Sequence, residues 1–323
     1  MKIVYDPRHV FYSPKQEFDR YKMVENPETP SRLEKSINLL KLKYPKNFVN
    51  SADFPRSYLY LAHDPDYIMW LKSKSKETED GAEYFPKVFG YDRIFDNGTP
   101  ILNNSFEMAW ISAKCALTGA KILLEDPEDF VYVGTRPPGH HAGLSMGGGY
   151  CYMNNVALAA KYLQSKTNGF IAILDLDFHH GNGTQEIFYN DNSVLYISIH
   201  GNPSSHFPYV SGYEWEIGED EGKGYNINFP LEAGIGGNVY LRVLEKCILE
   251  IDDYDPDFLL VSFGSDTHEL DRMGTFNLKG NDYAEIGRMI NQLSVKKLIV
   301  QEGGYNAEGN ADAIDNLFYG LSR

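Results

Sequence analysis

The chain has 323 residues, 42% of them hydrophobic, enough for a sizeable core and within the range of one large α/β domain. Its net charge of −15 at pH 7 opposes a nucleic-acid partner, whose phosphates need a basic surface, and suits a cationic small molecule. No apolar run reaches the roughly 18 residues of a membrane span, and Met1–Asp6 lacks a signal-peptide core; Cys115, Cys151 and Cys247 form no zinc-ribbon or disulfide framework, which points to a reducing, cytoplasmic compartment.

In chain order, Lys2–Tyr5 reads as a strand. Thr29 is expected to cap a helix with Pro30 at its first position and Leu33, Ile37 and Leu40 on one face, ending at Tyr44-Pro45. A turn at Ala62–Tyr67 opens a helix through Trp70. Residues 72–104 form an irregular stretch of a length that is usually functional or mobile. Ser105–Leu124 is apolar on most sides, the mark of a largely buried helix. From there strands (Phe130–Gly134, Phe170–Asp175, Val194–His200, Phe258–Phe263, Lys297–Val300) alternate with helices (Asn155–Gln164, Asn238–Ile251, Tyr283–Leu293). That order predicts a single domain over 1–323, a parallel sheet with helices on both faces.

The segment Phe170–Thr184 organises the rest. It begins as an apolar run and then places Asp175, Asp177 and His179 at alternating positions, on one side if the strand stays extended. Carboxylates and an imidazole crowded together must desolvate and repel, and a divalent cation resolves that conflict. Polar clusters also follow the other strands: Arg136–His141, His200, Gly264–His268 and Glu302–Tyr305. Ligands of open α/β sheets bind at the carboxyl ends of strands. Asp177, His179 and Asp266 supply hard O/N donors for a catalytic metal, zinc or ferrous iron, with positions left open. His140 and His141 offer proton transfer, and Tyr305 an oxyanion donor. The glycines before Tyr150 let the backbone approach a narrow pocket. A dinucleotide fold at Gly181-Asn182-Gly183 fails because Glu186 stands where a third glycine is needed.

These motifs resemble the histone deacetylase superfamily: Arg136–Ala142, Gly149–Asn155, Asp175–Gln185, Gly264-Ser265-Asp266 and Glu302–Tyr305, in the family's order, with a weaker match at Asn26–Leu33. Within it the chain is most similar to the acetylpolyamine amidohydrolases, through His140–Gly143, Gly148–Cys151, Asp177–Tyr189 and the insertion at about 72–104. The resemblance implies an arginase-like domain with a central, mostly parallel eight-stranded sheet, zinc on Asp177, His179 and Asp266, and a structural potassium ion at Asp175 and Ser198. It implies His141 as general base and then acid, His140 as its electrostatic neighbour, and Tyr305 polarising the acetyl carbonyl. Tyr150, Phe207 and Gly149 would line a substrate channel, with Asp175 and Asn182 orienting the histidines; some relatives carry Asp where Asn182 stands. Glu17 matches an acidic residue of the polyamine enzymes, and Glu83 and Asp92 are further candidates for a distal ammonium. The implied partners are a small cationic acetylated amine and, through the insertion, a second copy of the chain. A protein acetyl-lysine deacetylase is the alternative. A silent binding module would have lost a ligand or the tyrosine, and an arginase-type hydrolase would hold a second metal ion.

Overall fold

A computed structural model describes residues 1–19, 22–88, 92–126 and 128–323. In chain order the strands are β1 (Lys2–Tyr5), β2 (Gln16–Asp19), β3 (Lys22–Glu25), β4 (Phe48–Val49), β5 (Phe130–Gly134), β6 (Ile171–Asp175), β7 (Val194–Gly201), β8 (Asn226–Leu231), β9 (Phe258–Phe263) and β10 (Lys296–Gln301). The helices are α1 (Ser31–Lys43), α2 (Pro65–Glu77), α3 (Ser105–Glu125), α4 (Asn155–Thr167), α5 (Asn182–Phe188), α6 (Gly237–Tyr254), α7 (Gly280–Asn291) and α8 (Ala307–Leu321). Eight strands form one sheet in the order β4-β1-β5-β10-β9-β6-β7-β8, and β2 and β3 make a separate hairpin. Every pairing in the large sheet is parallel.

Alternation along the strands splits the core in two. Val131, Ile173, Leu260 and Val300 face α3 and α4, whereas Tyr132, Leu174, Val261 and Ile299 face α1, α6, α7 and α8. Strands buried on both faces explain their near-continuous apolar sequence. Each buried aliphatic side chain contributes about 1.5–3 kcal/mol, so the centre of the sheet is a rigid platform. Because the strands run the same way, all their carboxyl ends lie on one edge, and the polar clusters meet there. Among the described residues no helix is long and apolar enough to cross a membrane.

Several boundaries differ from the sequence expectation. Helix α1 starts at Ser31 with Pro30 already helical, and the Thr29 hydroxyl pairs with Ser31 Oγ at 2.8 Å instead of capping a main-chain N–H. Helix α2 continues through Glu77, so the irregular stretch starts later than Lys72; residues 89–91 of that stretch lie outside the described residues. Strand β6 stops at Asp175. Beyond it the chain bends, with the Asp175 and Asp177 carboxylates accepting the N–H groups two residues on, from Asp177 at 3.3 Å and His179 at 2.9 Å. Side-chain turns, rather than strand pleat, set the spacing of these residues.

Candidate active site

The ends of β6, β9 and β10 build the centre. Ligand atoms of Asp177, His179 and Asp266 all lie within 4.8 Å of one another. His179 Nδ1 is 2.9 Å from Asp266 Oδ2 and 3.4 Å from Asp177 Oδ1. Both carboxylates are fully buried. Against the cost of burial, His140 and His179 hold Asp177 well below the usual carboxylate range, while burial and then Asp177 itself push Asp266 up to about 7. Two carboxylates this close resist a common negative charge, and a divalent cation between them removes the conflict. The oxygen and imidazole donors fit such an ion.

The turn after β5 supplies the histidines. His140 Nδ1 donates to Asp175 Oδ2 at 3.1 Å, and His141 Nδ1 donates to Asn182 Oδ1 at 2.7 Å. Their environments separate them. Against desolvation, Asp177 and Asp175 raise His140 to about 10. Desolvation, followed by the charges of His140 and His179, holds His141 well below its ordinary value. The surroundings thus favour the protonated form at His140 and the neutral form at His141, whose Nε2 is left as the acceptor. Pairs of titratable groups driven apart in this way mark acid–base sites.

Aromatic walls stand over the pair. Phe207 meets the His141 ring edge-on at 5.0 Å, and Tyr150 meets Tyr305 edge-on at 5.6 Å. Gly149 has φ +55°, and a Cβ there would lie 2.2 Å from His141 Cδ2, so only glycine lets this loop close on the ring. At the outer end of the Tyr150 ring, the phenol donates to Glu17 Oε2 at 2.7 Å. Glu83 and Asp92 are engaged elsewhere: Glu83 accepts the Lys15 N–H, and Asp92 accepts the Tyr84 hydroxyl and the Lys87 N–H. Asp175 and Ser198 are opposite each other in the β6–β7 register, with Ser198 Oγ bonded to His200 Nδ1 at 2.7 Å. His200 packs against His180 with the rings tilted, 4.7 Å between centres, and stays out of the triad.

Sequence reasoning placed Glu28, Arg32 and Glu302 in matched motifs without a role and passed over Asp96, Thr99 and Asp271; these are the groups that hold the loops. Arg32, buried in α1, donates to the carbonyl of Gly304 at 2.8 Å and to that of Glu302, with its guanidinium 4.8 Å from the Tyr305 ring centre. Glu28 pairs with both Arg32 and Arg136, each at 2.7 Å. Glu302 Oε2 accepts the N–H of Gly139 at 2.6 Å and of His140 at 3.1 Å, tying the tyrosine loop to the histidine turn. Asp96, inside the 72–104 stretch, accepts the Gly149 N–H at 2.6 Å, and Thr99 Oγ1 accepts that of Tyr150 at 2.8 Å. Asp271 accepts the N–H of Tyr305. The signals were faint: an Asp or Glu ahead of a turn, with no period to mark it.

The chain matches the family model of the histone deacetylase domain over residues 26–321. It is 38% identical over 303 residues to acetylpolyamine amidohydrolase 2 of Pseudomonas aeruginosa, covering 87% of each chain. The crystal structure of an acetylpolyamine aminohydrolase from Burkholderia pseudomallei superposes with a TM-score of 0.94 at 30% identity, over 100% of this chain and 98% of that one. The HDA15 HD domain superposes with a TM-score of 0.88 at 27% identity, over 100% and 91%.

Proposed function

This chain belongs to the histone deacetylase family, in its acetylpolyamine amidohydrolase branch, and we propose that it hydrolyses the acetyl amide of small cationic acetylated amines. The observation that carries the reading is the juxtaposition of the Asp177–His179–Asp266 triad, the divided His140–His141 pair and Tyr305 at one sheet edge, with Glu17 at the outer end of Tyr150.

Asp177, His179 and Asp266 would hold one zinc ion, and the same donors accept ferrous iron. A bound ion there supplies Lewis acidity, polarising a carbonyl and acidifying water. The residues do the rest. His141 Nε2 takes the proton of the attacking water and returns it to the leaving amine, while Asn182 fixes the ring through Nδ1. The His140 imidazolium, anchored on Asp175, keeps positive charge beside the developing oxyanion. Tyr305 donates its hydroxyl to that oxyanion. Phe207, Gly149 and Tyr150 enclose the alkyl chain, and the Glu17 carboxylate draws the distal ammonium. A potassium ion at Asp175 and Ser198 belongs to the same reading, as a brace for the β6–β7 ends.

The test is acetate release by zinc-loaded protein from acetylputrescine, acetylspermidine, acetylcadaverine and an acetyl-lysine peptide. Higher kcat/KM on the free amines is expected. Preference for the peptide would move the chain to the protein deacetylases, and no release from any substrate would end the deacetylase proposal.

A further inference from the structure

The catalytic tyrosine is gripped by its main chain from two sides. On one side Arg32 takes the carbonyls of Glu302 and Gly304. On the other stands Asp271, only 7% exposed, in the loop after β9. Its Oδ2 accepts the N–H of Tyr305 at 2.6 Å and of Asn306 at 2.9 Å, and its Oδ1 accepts the N–H of Met273 at 2.9 Å. One carboxylate thus organises three main-chain donors. The same loop packs on a metal-site residue: a Cβ on Gly274 would lie 2.0 Å from the Asp266 carbonyl oxygen. Gly304, with φ +113°, leaves no room for a side chain against Ser265, its Cβ falling 2.1 Å from the hydroxyl. The tyrosine loop and the Asp266 loop are therefore pressed together, and Asp271 fastens one to the other.

We infer that Asp271 is a positioning residue that sets the distance between the Tyr305 hydroxyl and the Asp177–His179–Asp266 centre. An oxyanion donor works only when held within about 0.5 Å of its productive position. The ring has its own supports beside it, Tyr150 and the Arg32 guanidinium, and Arg32 also holds the Gly304 carbonyl, but it is the Asp271 carboxylate that accepts the N–H groups of Tyr305 itself and of Asn306. Loss of this anchor lets the phenol drift while the tunnel that binds the alkyl chain stays intact. This inference rests on the deacetylase reading for its kinetic consequence and on geometry alone for its structural one.

The experiment uses D271N, Y305F and the double variant of the zinc-loaded enzyme with acetylputrescine. Asparagine keeps the size but turns one acceptor into a donor facing N–H groups. D271N is expected to lower kcat by about 10- to 100-fold, part of the loss a whole oxyanion donor represents, with KM changed less than about twofold and metal content retained. In the Y305F background the same change should cost less than about twofold, because two residues acting through one group are not additive. Wild-type kcat in D271N would overturn the inference, and so would an equal loss in both backgrounds, the pattern of a purely structural role. Should D271N fail to fold, D271E, which moves the carboxylate by one methylene, carries the same comparison. A crystal structure of the variant reads the result without turnover: the Tyr305 ring is displaced, or the inference fails. Absence of acetate release by the wild type would instead sink the deacetylase reading and leave that crystallographic test standing.

Discussion

The Tyr150 phenol donates to Glu17 Oε2 at 2.7 Å, joining the loop before α4 to the β2–β3 hairpin through one hydrogen bond. Burial pushes Glu17 up to about 7, against the bond from Tyr150 and aided by the negative charge of Asp96. The carboxyl is thus neutral below that pH and charged above it. KM for a cationic acetylated amine is expected to fall as pH rises through about 7 and to lose this dependence in Glu17→Gln. At pH 8 that variant should show KM raised about tenfold, the size of one charge-assisted hydrogen bond of about 1.5 kcal/mol, with the smaller effect on kcat. Steady-state kinetics across pH would check it. Equal KM in the two proteins at high pH would remove Glu17 from the amine site.

Tyr305→Phe removes one hydroxyl and leaves the ring between Tyr150 and Arg32. The expected loss is on the order of 10²–10³ in kcat, the cost of a single oxyanion donor, with metal content and thermal midpoint retained. Full turnover would exclude the phenol from the reaction.

Asp266→Ala takes one donor from a three-residue set whose other members, Asp177 and His179, cannot close a site alone. Elemental analysis should find metal falling from about one ion per chain to a small fraction. Chelation of the wild type should abolish acetate release, and zinc should restore it. An undiminished metal content in the variant would strike Asp266 from the ligands.

Asn182 Oδ1 accepts from His141 Nδ1, so the partner of the proposed general base is neutral. Asn182→Asp places a carboxylate there, and a charge at that distance favours the imidazolium. The acidic limb of the kcat/KM profile is expected to move to higher pH by about one to three units. An unmoved limb would show that the limb belongs to another group.

His63 binds two loops with one neutral ring. Its Nδ1 donates to the Gly143 carbonyl at 2.8 Å, and its Nε2 accepts the N–H of Asn154 at 2.9 Å. Burial lowers it to about 4, against the bond to Gly143, and burial likewise lowers His200 to about 4. The unfolded chain, with histidines near 6.5, then binds more protons than the native one in the intervening range. The contribution of these two histidines to stability is complete above about pH 6.5 and is lost as pH drops towards 4. Denaturant unfolding at several pH values should show this slope, and His63→Gln should lessen it.

The polar ends of β5, β6, β9 and β10 were legible because a parallel sheet sends every carboxyl end to one edge, so motifs far apart in sequence acquire a common destination. Apolar runs such as Ile171–Leu174 and Leu259–Phe263 announced the strands themselves. The β2–β3 hairpin was not legible: Gln16–Asp19 and Lys22–Glu25 are largely exposed and charged, with no buried face to create an alternation. Strand β8 lies on the edge of the sheet and alternates Asn226 and Asn228 inward, so polarity concealed it. Asp96 and Asp271 were invisible for another reason. Each accepts main-chain N–H groups distant in sequence, from Gly149 and from Tyr305 and Asn306, and no local pattern encodes such a partner.

Residues 93–96 reach the candidate site from outside the sheet. Gly147 bonds to Arg93 and Phe95 through its main chain, and the Phe95 ring stacks on Phe207 at 5.6 Å. The ring stacked on Phe207 and the Asp177–His179–Asp266 donors consequently belong to separate stretches of chain, one between α2 and α3 and the other after β6 and β9. The first can change in length or composition without altering the second.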